Sequence, residues 1–443
     1  MKHNRPAWQY LLGTFVLLIV VQGALRKWVF PGYERYLYFL KDIVLSVGIL
    51  GFLTQRRVTF PTPVQRTALP LFVGAFVGWT LLEAFNLRLP ALSVGLLGIR
   101  SHLLYVALAV MVPMALSQVR DPMRLLRGFV LWIAVPVLLL GIYQYFQDPS
   151  AWINRYVDEG AQVTNISGYP RITGPFSYIT GMGTFLVLCL CLAMGTLFAA
   201  VRFQRRRLLW GGTLFMAFSV TVAPMNGSRS VLFFTAIPGA VVLLEMIRQR
   251  GRRSVGIVGL MATVALAYVA TQTDLALAWE TFLSRVGGGG ADERALGLFL
   301  KPFRRLGEIG FFGFGAGATH QAAPVLVGLP ASTWLPVGRG ESSFVRLLIE
   351  LGALGFIILT GLKLYLVYFA YGTMRRSQSA FAAVIGTAAF LFLTVHLVAH
   401  VAFNPTAGAL YWTLVGVMIF AWSRDRINEK KRQAVATQTP SLT

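Results

Sequence analysis

Charged residues and cysteines are both scarce in this 443-residue sequence. Only 13% of its residues are charged, whereas soluble globular domains carry about 25%. The two cysteines, Cys189 and Cys191, point to different faces of any helix that contains them, which excludes a disulfide between them. With 56% hydrophobic residues and a mean hydropathy of +0.64, the composition is that of a membrane protein. It excludes a secreted disulfide scaffold, a disordered chain and an ordinary soluble enzyme.

The common catalytic signatures are also missing. The sequence contains no GxSxG, HExxH, GxxxxGK[ST] or CxxC motif. A DxD-type pair of carboxylates is missing as well, which argues against a metal-dependent transferase that uses nucleotide sugars. We therefore expect neither a metal ion nor a cofactor.

Apolar runs of the length that crosses a bilayer, about 17–25 residues, recur along the chain. They predict an all-α polytopic membrane protein of about twelve transmembrane helices with both termini on one side. No small-residue cleavage site follows the first run, so we interpret it as a retained span and not as a signal peptide. The predicted spans are 7–24, 37–54, 67–85, 100–117, 128–145, 177–200, 208–225, 230–247, 255–271, 342–372, 380–400 and 406–422.

The formal net charge of +23 suggests at first a nucleic-acid-binding protein. Positive charge accumulates, however, in the cytoplasmic loops of membrane proteins, and short basic loops alternate with the predicted spans. These segments hold 23 of the 40 Lys and Arg residues; they are 1–6, 55–66, 118–127, 201–207, 248–254, 373–379 and the tail at 423–443. We therefore predict cytoplasmic termini, contact with the lipid bilayer and no nucleic-acid partner.

Two long segments, 146–176 and 272–341, fall on the predicted periplasmic side. The second contains an amphipathic stretch at 293–306 and the sequence GFGAG at 313–317. This pattern predicts short amphipathic helices on the membrane surface, followed by a tight glycine turn. Any chemistry is expected on this side.

Arginines are frequent at the predicted periplasmic ends of the spans, although the topology rule disfavours them there. Snorkelling to lipid headgroups explains single arginines, above all Arg88 and Arg339. Several convergent guanidinium groups would instead bind a phosphate or pyrophosphate without a metal ion. The arginines concerned are Arg26, Arg88, Arg100, Arg171, Arg229, Arg285, Arg294, Arg304, Arg305, Arg339 and Arg346.

Candidate acid–base residues lie near the ends of the late spans. Glu341 marks the start of one span, where an acid either caps the helix dipole or acts as a general base. Arg346 and Glu350 follow one turn apart, which predicts a structural ion pair. In the next span, His396 is interpreted as a buried structural histidine and His400 as a second candidate base.

Several short motifs, in their order along the chain, resemble the O-antigen ligase and polymerase superfamily of polytopic glycosyltransferases. The motifs are RITGPF at 171–176, NGSRS at 226–230, Arg294 ahead of GFGAG, and ESSFVRLLIELGALG at 341–355. The resemblance extends to the exopolysaccharide-polymerase-like branch of Wzy-type polymerases through GALRKWVFP at 23–31, GIRSHLLYVAL at 98–108 and INRYV at 153–157.

The resemblance implies a metal-independent, inverting transferase of the bacterial inner membrane. Its substrate would be a glycan linked to undecaprenyl pyrophosphate, and its acceptor the hydroxyl of another glycan. Arg229 and Arg294 would bind the pyrophosphate, with Arg171 as a further candidate. Our hypothesis adds Arg304 or Arg305 as a further ligand. A flippase and a chain-length regulator would be its partners.

One position departs from the pattern of the ligases in this superfamily. Ligases carry a His, then Asn, Ser or Gln, nine residues and GxxG, whereas here the frame reads Glu341, Ser342, nine residues and Gly352 to Gly355. Glu341 would replace the histidine base, or His400 would supply the base instead. The difference favours a polymerase over a ligase that transfers O-antigen to lipid A-core. The ligase remains the alternative, and a small-anion transporter is a second one.

Overall fold

The computed structural model describes residues 6–54, 59–157, 165–166, 168–227, 239–248, 306–340, 342–399 and 401–438. Helices dominate these ranges, and the strands within them form one antiparallel ribbon of Asn165–Ile166 and Tyr169–Pro170. Eight of the described helices are long and apolar enough to cross a membrane. The chain is thus an α-helical membrane protein, as its composition predicts.

The helices of the first half follow the predicted apolar runs. They are α1 (Ala7–Ala24), continued by a π-helical turn at Leu25–Val29, α2 (Glu34–Leu37), α3 (Leu40–Leu53), α4 (Thr62–Gln65), α5 (Leu69–Ala84), α6 (Leu92–Leu103), a 3-10 turn at Leu104–Ala107, α7 (Leu108–Leu116), α8 (Pro122–Phe129), a π-helical turn at Val130–Ala134, and α9 (Val135–Tyr145).

The second half contains the longest helices. It comprises a 3-10 turn at Trp152–Asn154, α10 (Ile179–Phe203), α11 (Arg206–Val222) with a 3-10 turn at Ala223–Asn226, α12 (Leu306–Ile309), α13 (Ala323–Val327), a 3-10 turn at Ala331–Thr333, α14 (Ser343–Arg375), α15 (Ala380–Val395) and α16 (Pro405–Gln438). Residues 239–248 are also helical.

Part of the predicted architecture falls outside the described residues. Of the predicted span 230–247, residues 239–247 are described and helical. The predicted span 255–271 lies wholly outside, and so does most of the amphipathic stretch at 293–306.

Helix α15 lies at the centre of the bundle. It packs against α10, α14 and α16, and nearly all of its residues are buried. Small residues permit the close contact with α10: a Cβ atom at Gly195 would lie 2.4 Å from the carbonyl oxygen of Val384. The two helix backbones therefore touch at this point, and a larger residue there would separate them.

Two helix boundaries differ from the prediction. Helix α6 begins at Leu92, so Arg100 and His102 lie inside it and not at the start of a span. The helix accommodates them because both side chains have buried acidic partners, described below. At the C-terminus, α16 continues to Gln438 through the predicted polar tail, where Arg426 and Glu429 form an ion pair at 3.2 Å.

Segments predicted to share the cytoplasmic side contact one another at one end of the bundle. Arg202 donates a hydrogen bond to the carbonyl of Arg375 at 3.0 Å. Arg424 likewise donates to the carbonyl of Val119 at 3.0 Å. The opposite end contains the start of α14 and the residue Glu350, and we call it the Glu350 end.

Candidate functional site

A fully buried carboxylate, that of Glu350, organises one part of the Glu350 end. It accepts hydrogen bonds from the backbone N–H groups of Gly317 and Thr319, each at 3.0 Å, and from the Thr319 hydroxyl. His102 Nε2 lies 2.7 Å from its remaining side. These four donors replace the water that the carboxylate loses on burial.

Arg346 lies one turn before Glu350 but does not form the predicted ion pair with it. Its guanidinium group donates to the hydroxyl and the carbonyl of Thr319, at 3.1 and 3.0 Å, and lies 4.0 Å from the ring centroid of Phe403. The prediction was wrong because the loop before α13 supplies closer partners to both charges. Thr319 thus connects an arginine and a carboxylate that do not touch.

A break in α14 directs Glu350 toward these partners. Gly352 has φ 66° and ψ −176°, so the chain is not helical at this residue. The GFGAG segment fits into the break: Phe314 N–H donates to the carbonyl of Ile349 at 2.7 Å, and a Cβ atom at Gly352 would lie 2.3 Å from the carbonyl oxygen of Phe311. Two sequence motifs that are distant along the chain therefore form one packed unit.

Three cations surround the ring of Tyr38. Arg26, Lys41 and Arg100 lie 5.3, 5.8 and 4.9 Å from its centroid. Asp42 is the acid at this position; it accepts from Arg100 Nε at 2.8 Å and lies 3.2 Å from Lys41 Nζ. One carboxylate thus compensates part of a concentrated positive charge.

Two cations approach the loop that precedes α10. Lys27, 1% exposed, donates to the Thr173 hydroxyl at 2.9 Å and to the Gly174 carbonyl at 2.7 Å. Arg26 donates to the Ser177 hydroxyl at 3.0 Å. In the part of the chain that the structure describes, Lys27 has no ion pair with a carboxylate. Burial of an ammonium group is costly, and the hydrogen bonds to Thr173 and Gly174 offset part of that cost.

The predicted ligand Arg171 belongs to the same loop. Its Nε donates to the carbonyl of Asn226 at 3.0 Å. Asn226 is itself buried and donates to the carbonyls of Ile172 and Ile179 at 2.9 and 3.0 Å. The RITGPF motif and the first residue of NGSRS are thus joined, three positions before Arg229 in the sequence.

His320 lies beside the Glu350 cluster, in the segment between α12 and α13. Its Nδ1 accepts a hydrogen bond from the backbone N–H of Ala322 at 3.1 Å, which requires that nitrogen to be unprotonated. Burial lowers the pKa of His320 below its usual value; the Glu350 carboxylate opposes this shift, and the positive charges of Arg100 and Arg346 add to it. The imidazole is therefore held in its neutral form.

Lys363 and His396 have structural partners deeper in the bundle. Lys363 Nζ donates to the carbonyls of His396 and Leu397, at 3.0 and 3.4 Å, where α15 ends. An ammonium group is favourable at this end of a helix dipole. The His396 ring is buried and stacks on Phe392 with 4.1 Å between centroids. This is the environment of a structural histidine.

Of the predicted site residues, the structure describes Arg171. The predicted base Glu341, the alternative base His400 and four of the predicted pyrophosphate ligands lie outside the described residues. These four ligands are Arg229, Arg294, Arg304 and Arg305. Their convergence around one cavity remains a prediction.

Sequence reasoning missed the partners of Lys27 and His102. Lys27 follows Arg26 at the end of a predicted span, so its charge resembles that of any residue at the membrane interface. His102 lies 248 positions before Glu350, and no periodic pattern records such a contact. The available signal was the position of both residues in the motifs GALRKWVFP and GIRSHLLYVAL.

The fold and the cluster together define a class: an α-helical membrane protein with an excess of buried and half-buried cations at one end. Within the described residues, no group of three or more His, Cys, Asp or Glu side chains is arranged to hold a metal ion. No protein-family model matches the chain, and no curated protein matches it.

Proposed function

We propose that the protein is a glycosyltransferase of the bacterial inner membrane that polymerises lipid-linked glycan. It transfers a glycan from undecaprenyl pyrophosphate to a sugar hydroxyl of another lipid-linked repeat unit, without a metal ion and with inversion at the anomeric carbon. About twelve spans place both termini in the cytoplasm and the Glu350 end in the periplasm. A flippase supplies the substrate, and a chain-length regulator acts on the product.

The observation that carries this proposal is the excess of positive charge at the Glu350 end. Arg26, Lys27, Lys41, Arg100 and Arg346 lie there within a few helices of one another. Three buried carboxylates lie at the same end: Asp42 pairs with Lys41 and Arg100, Glu350 is bound by His102 and Thr319, and Glu83 accepts from Asn86. A pyrophosphate supplies the negative charge that such a site lacks, and guanidinium groups match its oxygens.

In this mechanism, arginines stabilise the leaving group. The bond between the anomeric carbon and the pyrophosphate oxygen breaks, and negative charge grows on that oxygen. Arg229 and Arg294, aided by Arg171 and by Arg304 or Arg305, bind the pyrophosphate and lower the barrier electrostatically. The acceptor hydroxyl loses its proton to a base at the same end of the protein.

Single substitutions in the producing strain test the proposal. We expect Arg294→Ala and Arg229→Ala to shorten the polymer to single repeat units, because each removes a charge from the leaving-group site. The readout is polymer length on gels, with the amount of protein measured in the membrane. Arg88→Gln is the matched control, since Arg88 lies over the Phe314 ring at 5.4 Å and is interpreted as an interfacial residue. Normal polymer from Arg294→Ala at normal protein level would refute the mechanism.

The same strain distinguishes a polymerase from the alternative ligase. Loss of a polymerase leaves single repeats on the carrier lipid, whereas loss of a ligase leaves long polymer stranded there. The measurement is the chain length of the lipid-linked glycans extracted from the deletion strain: single repeats indicate a polymerase, and long chains indicate a ligase.

The contacts of the intramembrane polar residues weigh against the small-anion transporter. A transport path needs polar groups that are free to bind the moving ion. Asp42 pairs with Arg100, Glu350 is held by four donors, and Lys363 caps α15. These groups stabilise the bundle, so the described helices contain no series of unpaired charges that could bind a moving ion.

A further inference from the structure

His102 and Glu350 form a buried pair that takes no part in the mechanism proposed above. Their side chains are 0% and 1% exposed, and His102 Nε2 lies 2.7 Å from Glu350 Oε2. The two residues come from α6 and from the break in α14. Such a pair resembles the acid–histidine part of a catalytic triad, in which a carboxylate orients an imidazole.

The hydrogen bonds around Glu350 determine which imidazole nitrogen carries the proton. The carboxylate accepts from Gly317 and Thr319, and these donors match its ionised form. An ionised carboxylate only accepts hydrogen bonds, so His102 Nε2 must donate. In the neutral ring, His102 Nδ1 then carries a free lone pair.

His102 Nδ1 is buried and has no hydrogen-bond partner in the part of the chain that the structure describes. Leaving a buried polar atom unpaired costs about 1–3 kcal/mol. Retaining such an atom is a disadvantage for a purely structural histidine. It is explained if the lone pair accepts a proton from a group that reaches His102 when substrate binds.

A cavity adjoins this histidine. It has a volume of about 40 Å³ and is lined by His102, Ser101, Ser343 and Phe403, among others. A water molecule needs roughly 10–15 Å³, so the cavity has room for a group of that size, and the fully buried His102 side chain forms part of its wall. Ser343 is the first residue of α14 and follows the predicted base Glu341 by two positions in the sequence.

We propose that His102 is the general base of the transferase and that Glu350 is its positioning residue; this inference rests on the proposed function. The acceptor hydroxyl donates its proton to His102 Nδ1 as its oxygen bonds to the anomeric carbon. The bond from that carbon to the pyrophosphate oxygen breaks, and the electron pair leaves with the pyrophosphate. Glu350 stays ionised and stabilises the imidazolium that forms.

The test compares purified variants in lipid nanodiscs. The donor is the lipid-linked repeat unit extracted from a deletion strain, and the readout is chain elongation as kcat and KM. His102→Gln keeps an amide donor for Glu350 but removes the basic nitrogen. We expect its kcat to fall at least 100-fold with an unchanged KM for the donor, because general bases contribute about 10²- to 10⁴-fold and the pyrophosphate ligands are untouched.

His396→Gln is the matched control, because it also replaces a buried histidine and should leave kcat unchanged, since His396 has structural contacts only. Where His102→Gln does not yield a monodisperse protein, Glu350→Asp provides a second comparison, since it keeps the charge that the surrounding donors require and moves it away from the imidazole. A folded His102→Gln protein with the wild-type kcat overturns the assignment of the base and leaves the transferase intact. Wild-type protein that elongates no donor overturns both the function and the base.

Discussion

At the scale of single residues, Thr319 is the connection between the two charges of α14. Its hydroxyl donates to Glu350 and accepts from Arg346, and its backbone N–H and carbonyl repeat both contacts. The residue therefore holds opposite charges apart at fixed positions. A direct ion pair would have turned Arg346 inward, whereas here the guanidinium group lies against Phe403.

Replacing the Thr319 hydroxyl should show how much it contributes to the free energy of unfolding. Thr319→Val keeps the shape and the backbone contacts but removes two hydrogen bonds to charged groups, so we expect a loss of about 2 kcal/mol in the free energy of unfolding. Denaturation in detergent micelles gives the value. Thr333→Val removes an exposed hydroxyl from the same segment and should change stability little; equal stability of the two variants would contradict this account.

His320 should make stability depend on pH. Its pKa is lowered in the folded protein relative to about 6.5 in the unfolded chain, so the unfolded chain takes up the proton first as pH falls. The stabilisation is therefore complete above about pH 6.5 and is lost as pH falls through the lower, folded pKa. Unfolding measured from pH 7.5 down to about 5 should show a flatter curve for His320→Gln than for the wild type, and two parallel curves would refute the prediction.

At the scale of elements, the break at Gly352 decides how α14 contributes to the site. The sequence LLIELGALGF reads as one continuous apolar helix, so the sequence predicts a single span there. In the structure, the GFGAG segment hydrogen-bonds to the carbonyl that the break exposes, at Ile349. The break sets the direction of the first two turns, which carry Ser343, Arg346 and Glu350.

A side chain at this glycine should disrupt the site. Gly352→Ala adds a Cβ atom to a residue with a positive φ and places it 2.3 Å from the Phe311 carbonyl oxygen. We therefore expect a loss of about 1–3 kcal/mol in the free energy of unfolding, together with loss of activity. Gly372→Ala, in the same helix, meets no atom within 4 Å and should be neutral or slightly stabilising. Thermal unfolding of both proteins side by side is the measurement, and equal unfolding temperatures would exclude strain at Gly352.

At the scale of the whole molecule, the sequence predicts the helices better than the site. Apolar runs mark spans because the bilayer imposes their length, and ten of the twelve predicted spans coincide in whole or large part with described helices. The sequence placed the start of this span at Arg100, because a charged residue is expected at the end of a span. The ion pair with Asp42 allows Arg100 to lie inside α6 instead. The donors to Glu350 were missed because two are backbone N–H groups of a loop and one is His102, far away in sequence.

The two ends of the bundle should also be distinguishable in cells. With Cys189 and Cys191 replaced by alanine, Ser150→Cys places an exposed thiol in the 146–176 segment and Gln118→Cys places one in a predicted cytoplasmic loop. A membrane-impermeant maleimide should label Ser150→Cys in intact spheroplasts and Gln118→Cys only after lysis. The reverse pattern would invert the proposed topology.

Helix α15 has a consequence for the depth at which the protein works. Its 16 residues span about 24 Å, less than the roughly 30 Å of a bilayer's hydrocarbon core. The Lys363 ammonium group binds the carbonyls of His396 and Leu397, the two residues that follow the helix. In the proposed topology, with the start of α15 at the cytoplasmic boundary of that core, the helix would end about 6 Å short of the periplasmic boundary. Because α15 is enclosed by α10, α14 and α16, the space beyond its end would be a recess within the protein, and a head group bound there would lie below the level of the lipid phosphates.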